Sequence, residues 1–211
     1  MTTDEKKIAL DKIAQEIKAF KGLEIARNAD HAVPGEGNPD AEVLFVGEAP
    51  GATENLTGRP FVGQAGKLLE KNLNNIGLKR EDVYITNIVK FRPPDNRDPF
   101  PVEIEACKQW LDEQIKIIDP RIIATLGRFS MAKFIPDVTI SRVHGVARFV
   151  DFGSKKYIVF PMYHPAAALR AGSMMQLFAE DFGKLQNLLG KKSEIVIESQ
   201  KDDNDTQLGL F

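Results

Sequence analysis

The chain contains a single cysteine among its 211 residues, Cys107. One cysteine excludes an intramolecular disulfide, and it excludes a metal site built from several cysteines of one chain. Long apolar runs are also missing, and no stretch approaches the length that crosses a membrane. The first residues, Met1 to Lys7, lack the apolar core of a secretory signal. We therefore expect a cytoplasmic protein with one main domain.

An excess of positive charge is missing as well, because the formal net charge is −2. A near-neutral total does not by itself indicate nucleic-acid binding. The charge is uneven, however, since residues 140–172 carry five basic side chains against one acidic side chain, whereas residues 191–211 are net negative. The basic segment is a candidate DNA-binding surface that includes Lys155 and Lys156, and scattered surface charge is the alternative.

Strand-like and helix-like runs alternate along the chain. Buried strands are predicted near 42–46, 83–89, 121–127 and 157–160, a hairpin over 146–160, and helices over 4–20, 64–76, 102–118 and 174–189. This alternation is typical of a parallel sheet covered on both faces. We predict an α/β fold, a three-layer α/β/α sandwich around a central four-stranded parallel sheet. Residues 1–189 would form this domain, and residues 190–206 a flexible acidic linker.

The loop after the first predicted strand is rich in glycine and proline. It begins with G-E-A-P-G at 47–51 and continues to G-R-P-F-V-G-Q-A-G at 58–66. Loops at the carboxyl ends of strands are where open α/β sheets bind ligands. The nucleotide-binding patterns G-x-G-x-x-G and G-x-x-x-x-G-K-[ST] are both missing, which argues against a dinucleotide or a nucleoside triphosphate as the ligand.

The complete string resembles the first active-site motif of the family 4 uracil-DNA glycosylases. Four further segments follow in that family's order: T-N-I-V-K at 86–90, R-P-P-x-N-R at 92–97, A-T-L-G at 124–127 and His164-Pro165. The resemblance spans about residues 18–189. It implies an enzyme of base excision repair that hydrolyses the N-glycosidic bond of uracil flipped out of DNA. We expect the enzyme to be monofunctional, because no lysine is evident at the motifs for strand incision through a Schiff base.

Two other classes of protein stay open as alternatives. One is a non-catalytic or covalent-trapping protein that binds uracil-containing DNA. The covalent-trapping relatives carry a basic insert with a histidine nucleophile, and no such insert is evident here. The other is an unrelated α/β protein that binds a small ligand, which the ordered motifs disfavour.

The resemblance also implies roles for individual residues. A departing uracil anion needs a hydrogen-bond donor, the uracil edge suits an amide that both donates and accepts, and the base ring suits an aromatic partner. An apolar wedge can fill the gap that a flipped base leaves. On this basis the predicted catalytic residues are His164, which would stabilise the leaving uracil, and Glu48, which would place the attacking water. The predicted uracil-binding residues are Gly47, Gly51, Phe61 and Asn87, and the predicted intercalating residues are Leu169 and Arg170.

One departure from the family is large. Its members usually carry four cysteines that hold an iron–sulfur cluster. By motif alignment these positions are Lys18, Lys21, Phe91 and Cys107. Since three of the four thiolates are gone, we predict no metal and no other cofactor. Hydrophobic packing that involves Phe20 and Phe91 would replace the cluster.

The last five residues, Q-L-G-L-F at 207–211, turn apolar after an acidic stretch. They are similar to the pentapeptide by which bacterial repair and replication proteins dock on the sliding clamp. Leu208, Leu210 and Phe211 would fill apolar pockets, and Gln207 would supply an orienting amide. The alternatives are a tip that folds back on the domain and a frayed end. The predicted partners are thus uracil-containing DNA and the clamp, bound by a monomer.

Overall fold

The computed structural model describes residues 1–190. Its strands are β1 (Glu36–Gly37), β2 (Val43–Gly47), β3 (Tyr84–Asn87), β4 (Ile122–Leu126), β5 (Arg148–Phe152) and β6 (Lys155–Met162). Its helices are α1 (Thr3–Ala19), α2 (Glu24–Asn28), α3 (Ala52–Thr57), α4 (Gln64–Asn75), α5 (Pro101–Ile118), α6 (Arg128–Ala132), α7 (Ile140–Val143), α8 (Pro165–Ala168) and α9 (Gly172–Gly190). Apart from Gly190, which ends α9, the predicted linker and the C-terminal pentapeptide lie outside the described residues.

The strands form one six-stranded sheet in the order β1-β3-β2-β4-β6-β5. The central four strands are parallel, and β1 and β5 pair antiparallel at the two edges. The predicted four-stranded parallel core is therefore confirmed, and so is the predicted hairpin, which is formed by β5 and β6. The edge strand β1 was not predicted, because its two residues are too short to carry a periodic pattern.

Both faces of the sheet are buried, as the alternation of side chains along β2 illustrates. Leu44 and Val46 point to one apolar cluster, whereas Val43 and Phe45 point to the other. Helices α1 and α5 cover the first face, and α4 and α9 cover the second. The covering residues are Ile13, Ile17, Leu111 and Ile115 on the first face and Leu69, Leu73, Phe182 and Leu185 on the second. This arrangement confirms the three-layer sandwich.

The N-terminal helix α1 begins one residue earlier than predicted, and its start is well defined. The hydroxyl of Thr2 accepts a hydrogen bond from the Glu5 amide at 3.2 Å, and the Glu5 carboxylate accepts one from the Thr2 amide at 2.7 Å. This reciprocal pair satisfies two backbone donors that a helix end leaves free. Helix α1 packs against α5.

Within residues 1–190, no helix combines the length and the apolar character that crossing a membrane requires.

The strand order creates a crevice at one edge of the sheet. After β2 the chain adds β3 on one side and then crosses to add β4 on the other side of β2. Connections that leave in opposite directions separate at the carboxyl ends of β2 and β4, and ligands of open α/β sheets bind at such a point. The G-E-A-P-G loop follows β2 directly.

Candidate active site

A cavity of about 600 Å³ opens at the carboxyl ends of the parallel strands. It is lined by residues that follow β2, β3, β4 and β6, together with the segment 93–98 and helix α8. Six residues predicted for the site lie in its wall: Glu48, Gly51, Phe61, Asn87, His164 and Arg170. The sequence motifs, which are spread over more than 100 positions, are thus brought together in one place.

Asn87 ends β3 and lines this cavity. Its side chain is almost fully buried, with 1% of the residue exposed, and its Oδ1 has no hydrogen-bond partner. Gly47 lies beside it on β2, where a Cβ atom would come within 2.3 Å of Asn87 Oδ1 and 2.5 Å of the Phe61 ring. Glycine is therefore required at position 47, and a buried polar atom without a partner points to a ligand.

Phe61 forms a wall of the cavity next to the histidine. The centroids of the Phe61 and His164 rings are 5.7 Å apart, and the ring planes are inclined by 39°. Only 6% of Phe61 is exposed. Since Phe61 and His164 both line the cavity, a flat base that entered it would meet both rings.

His164 follows β6 and caps the N-terminus of α8. Its Nδ1 accepts a hydrogen bond from the Ala166 amide at 3.2 Å. An accepting Nδ1 carries no proton, so the proton of the neutral ring lies on Nε2. Burial, with a smaller contribution from the positive charge of Arg170, lowers the pKa of His164 to about 4. The imidazole is therefore a neutral N–H donor at physiological pH.

Among the residues predicted for the site, Glu48 is the one with a carboxylate side chain, and it lines the cavity. Burial raises its pKa, and so does the negative charge of Asp98, while Arg128 opposes both. Asp98 and Arg128 form an ion pair at the rim. Neither was singled out in the sequence, and neither was Asn96, which also lines the cavity. The R-P-P-x-N-R string was the available signal for Asn96, but the string indicated family membership without assigning a role.

The predicted DNA-contacting residues divide into two groups. Leu169 and Arg170 directly follow α8 and are exposed, and 45% of the apolar Leu169 is accessible. Lys155 and Lys156 begin β6, whereas His164 follows its end, so roughly 23 Å of strand separates them from the cavity. Lys155 instead pairs with Asp119 at 2.5 Å. The structure therefore does not bring these two lysines to the cavity.

The four positions that hold an iron–sulfur cluster in family 4 do not fit one in this chain. Lys18 and Lys21 are exposed, whereas Phe91 and Cys107 are fully buried. The Phe20 ring packs between Phe91 and Trp110, with ring centroids 6.0 Å and 5.1 Å away. The expected packing of Phe20 on Phe91 is confirmed, and Trp110 is an additional partner. Within residues 1–190, no group of histidine, cysteine or acidic side chains is arranged to hold a metal ion.

Comparison with known proteins agrees with these features. The sequence profile of the Uracil DNA glycosylase superfamily matches residues 34–186. A type-4 uracil-DNA glycosylase from Archaeoglobus fulgidus is 46% identical over 90% of this chain and 98% of its own length. Similar proteins of the same name occur in Sulfurisphaera tokodaii, 47% identical over 85% of this chain and 84% of that protein, and in Thermotoga maritima, 40% identical over 85% and 94%.

Proposed function

The chain belongs to the uracil DNA glycosylase superfamily, and we propose that it hydrolyses the N-glycosidic bond of uracil flipped out of DNA. The observation that carries this proposal is the buried, unpartnered Oδ1 of Asn87 in a cavity that also holds the neutral N–H donor of His164. One group suits the edge of a uracil, and the other suits the charge that develops when uracil leaves.

We propose that uracil lies against Phe61 with its polar edge toward Asn87. An amide offers one acceptor and one donor group, which matches the N3–H and O4 of uracil. Because Asn87 Oδ1 lacks a partner in the free protein, a hydrogen bond from uracil would satisfy an atom that is otherwise unsatisfied. Thymine and uracil share this edge, so Asn87 selects them against cytosine, which presents the opposite donor and acceptor pattern.

His164 is proposed to stabilise the leaving uracil through Nε2–H. As the bond between sugar and base breaks, negative charge collects on the uracil oxygens, and a fixed donor stabilises this charge more than it stabilises the bound substrate. The Ala166 amide holds Nδ1 as an acceptor, so the donor is aligned before the reaction begins. A neutral donor serves here because burial disfavours a charged imidazole.

Glu48 is proposed to place the attacking water and to stabilise the positive charge that develops on the sugar. It lies in the cavity wall at the end of β2, one strand away from Asn87. The raised pKa that burial and Asp98 give it makes the carboxylate a better hydrogen-bond acceptor for a water proton. Among the cavity-lining residues within 1–190 there is no lysine, and we propose that the product is an intact abasic strand.

A single-turnover assay on an oligonucleotide with one uracil tests the function. We expect release of free uracil and an abasic product that breaks only after alkali treatment. The same oligonucleotide with cytosine at that position is the control, because cytosine presents the opposite donor and acceptor pattern to Asn87. Tight binding of the uracil strand without release of uracil would favour the non-catalytic alternative, and a stable protein–DNA adduct would favour covalent trapping.

Arg170 and Leu169 are proposed to contact DNA beside the flipped nucleotide. We expect Arg170→Glu to weaken binding and to reduce the slope of log K against log[salt] by about one, because each lost phosphate contact releases about one counterion fewer.

Lys155 and Lys156 are proposed to extend the path of the DNA along the hairpin. Fluorescence anisotropy across a salt series measures both effects. Unchanged affinity and slope for K155E/K156E would remove the hairpin from that path.

The protein is proposed to fold and act without an iron–sulfur cluster. We expect anaerobically purified protein to be colourless and to contain far less than one iron per chain, since a single thiolate at Cys107 cannot hold a cluster. Metal analysis and visible absorbance measure this. A C107A variant with unchanged activity would support the proposal, since it would show that the thiolate holds no required cluster, whereas near-stoichiometric iron with a broad visible band would contradict the proposal.

We also propose that the C-terminal Q-L-G-L-F pentapeptide binds the bacterial sliding clamp. The proposal rests on sequence similarity, since residues 207–211 lie outside the described structure. A tethered tail would keep the catalytic domain near DNA at a raised effective concentration. We expect purified clamp to bind the full-length chain but not a version that ends at Asp205. Both versions should release uracil from free oligonucleotides equally, and equal clamp binding by both would exclude the tail as the docking site.

A further inference from the structure

The backbone of Phe61 adopts an unusual conformation. Its φ angle is +50°, in the left-handed region that aromatic residues rarely occupy. Such a conformation persists only where the surrounding structure enforces it, and it occurs most often at functional sites. The conformation decides where the ring points, so whatever enforces it also fixes the face on which the base would lie.

Two of the groups that hold this backbone belong to the cavity side of the protein. The first turn of α4 lies directly against it, since a Cβ atom at Gly66 would come within 1.8 Å of the Phe61 carbonyl oxygen. The carboxylate of Glu54 accepts hydrogen bonds from the amides of Val62 and Gly63 at 2.9 Å and 2.8 Å. Glu54 also lines the cavity, so a substitution there would alter the binding surface itself.

The third group is Arg80, which approaches from outside the cavity. Its Nη1 donates to the carbonyl of Phe61 at 2.9 Å, and its Nη2 donates to the carbonyl of Pro60. Its Nε donates to Glu36 at 2.9 Å. One planar guanidinium thus joins two successive carbonyls and a carboxylate, a geometry that a lysine cannot reproduce.

The local structure around Arg80 fixes its position. It begins a single 3-10 turn, Arg80–Asp82, that leads into β3, and its side chain is only 16% exposed. Glu36 belongs to β1, which pairs with β3. The edge of the sheet therefore carries both the guanidinium and the carboxylate that compensates its charge.

We propose that Arg80 is a positioning residue for the uracil site: it holds Phe61 in the left-handed conformation that presents its ring to the base. The inference rests on the proposed function, because it takes Phe61 as the surface on which uracil stacks. Arg80 does not line the cavity, so it acts on the base only through the backbone at residues 60 and 61.

Arg59 supplies a matched control. It donates two hydrogen bonds to the same carboxylate of Glu36, at 2.9 Å each, but its side chain is 58% exposed and its bonds go to Glu36. Arg59→Gln and Arg80→Gln therefore remove the same charge and disturb the same partner. Only the second variant releases the two carbonyls.

The experiment compares wild type, R59Q, R80Q and R80K. For R80Q we expect the inhibition constant of free uracil to rise and the single-turnover rate at saturating DNA to fall, each by about 10- to 100-fold, as for a displaced binding surface. R59Q should stay within about twofold of wild type in both. R80K restores the ion pair with Glu36 but lacks the planar guanidinium that reaches both carbonyls. It should therefore recover only part of the loss. The NMR backbone shifts of Phe61 should change in R80Q and not in R59Q.

These measurements separate the inference from the proposed function. If wild type releases no uracil, the function fails, and the Phe61 shifts then decide the inference alone. A folded R80Q that matches R59Q in uracil inhibition and in the Phe61 shifts would overturn the inference. If R80Q does not fold, R80K is compared with R59Q in its place. An R80K variant that matches wild type in every measurement would show that the guanidinium is not needed, and it would likewise overturn the inference.

Discussion

His164→Ala is expected to slow single-turnover release of uracil by about 10²–10³-fold, which is the loss that follows when one preorganised charge-stabilising donor is removed. The donor is Nε2–H, since Nδ1 is engaged by the Ala166 amide. Affinity for uracil-containing DNA should change little, because the hydrogen bond strengthens only as the bond to the sugar breaks. The fall should therefore lie in the rate at saturating enzyme and not in the concentration that saturates it.

Two variants serve as comparisons for this result. His31→Ala removes an exposed histidine outside the cavity and should retain wild-type activity. Glu48→Gln keeps the donor but removes the negative charge of the proposed water-placing carboxylate, so it should slow cleavage while leaving inhibition by free uracil unchanged. Wild-type rates for His164→Ala under matched conditions would show that the histidine is not the donor.

The same substitution has a pH signature. Burial, with a contribution from Arg170, lowers the pKa of His164 to about 4, whereas an unfolded histidine titrates near pH 6.5. The folded state then binds fewer protons than the unfolded chain, so stability is complete above pH 6.5 and falls as the pH drops toward 4. Between pH 7 and pH 5 the wild type should lose about 2 kcal/mol more than His164→Ala. Denaturant unfolding at the two pH values measures the difference.

The fold was predictable because its main signals are local. Each central strand is a short apolar run between turn residues, and burial on both faces of β2 follows from an unbroken apolar run such as Val43 to Val46. The edge strand β1 escaped prediction since two residues carry no period. Its position nevertheless matters, because it supplies the Glu36 that pairs with Arg80.

The site was predictable only where a motif marks it. Asn87 and His164 stand at strand ends inside recognisable strings, and the structure brings both to one cavity. Lys155 illustrates the opposite case, since its nearness to His164 in sequence conceals the length of β6 that separates them. Arg80 could not have been predicted from the sequence. Its contacts with the carbonyls of residues 60 and 61 depend on tertiary packing, and no sequence pattern around position 80 indicates them.

Asn87→Ala is expected to reduce the rate of uracil release at subsaturating enzyme by about 10²-fold and to raise the inhibition constant of free uracil by a similar factor. The physical reason is that uracil would bury its N3–H and O4 without partners. The free energy of unfolding, in contrast, should not fall. Because Oδ1 has no partner in the free protein, its replacement by a methyl group removes a buried unsatisfied atom and should leave the free energy of unfolding unchanged or higher.

Asn72→Ala is the matched control for this opposite pair of effects. Asn72 is also buried, at 5% exposure, but it lies on α4 outside the cavity, and its Nδ2 donates to the Leu68 carbonyl at 2.9 Å. Removing it leaves that carbonyl with one donor fewer, so Asn72→Ala should lower stability while uracil inhibition stays unchanged. Thermal unfolding and product inhibition, measured on both variants, give the comparison. If Asn87→Ala were the less stable of the two and still bound uracil normally, Asn87 would be a structural residue, and the recognition of uracil would have to be sought elsewhere in the cavity wall.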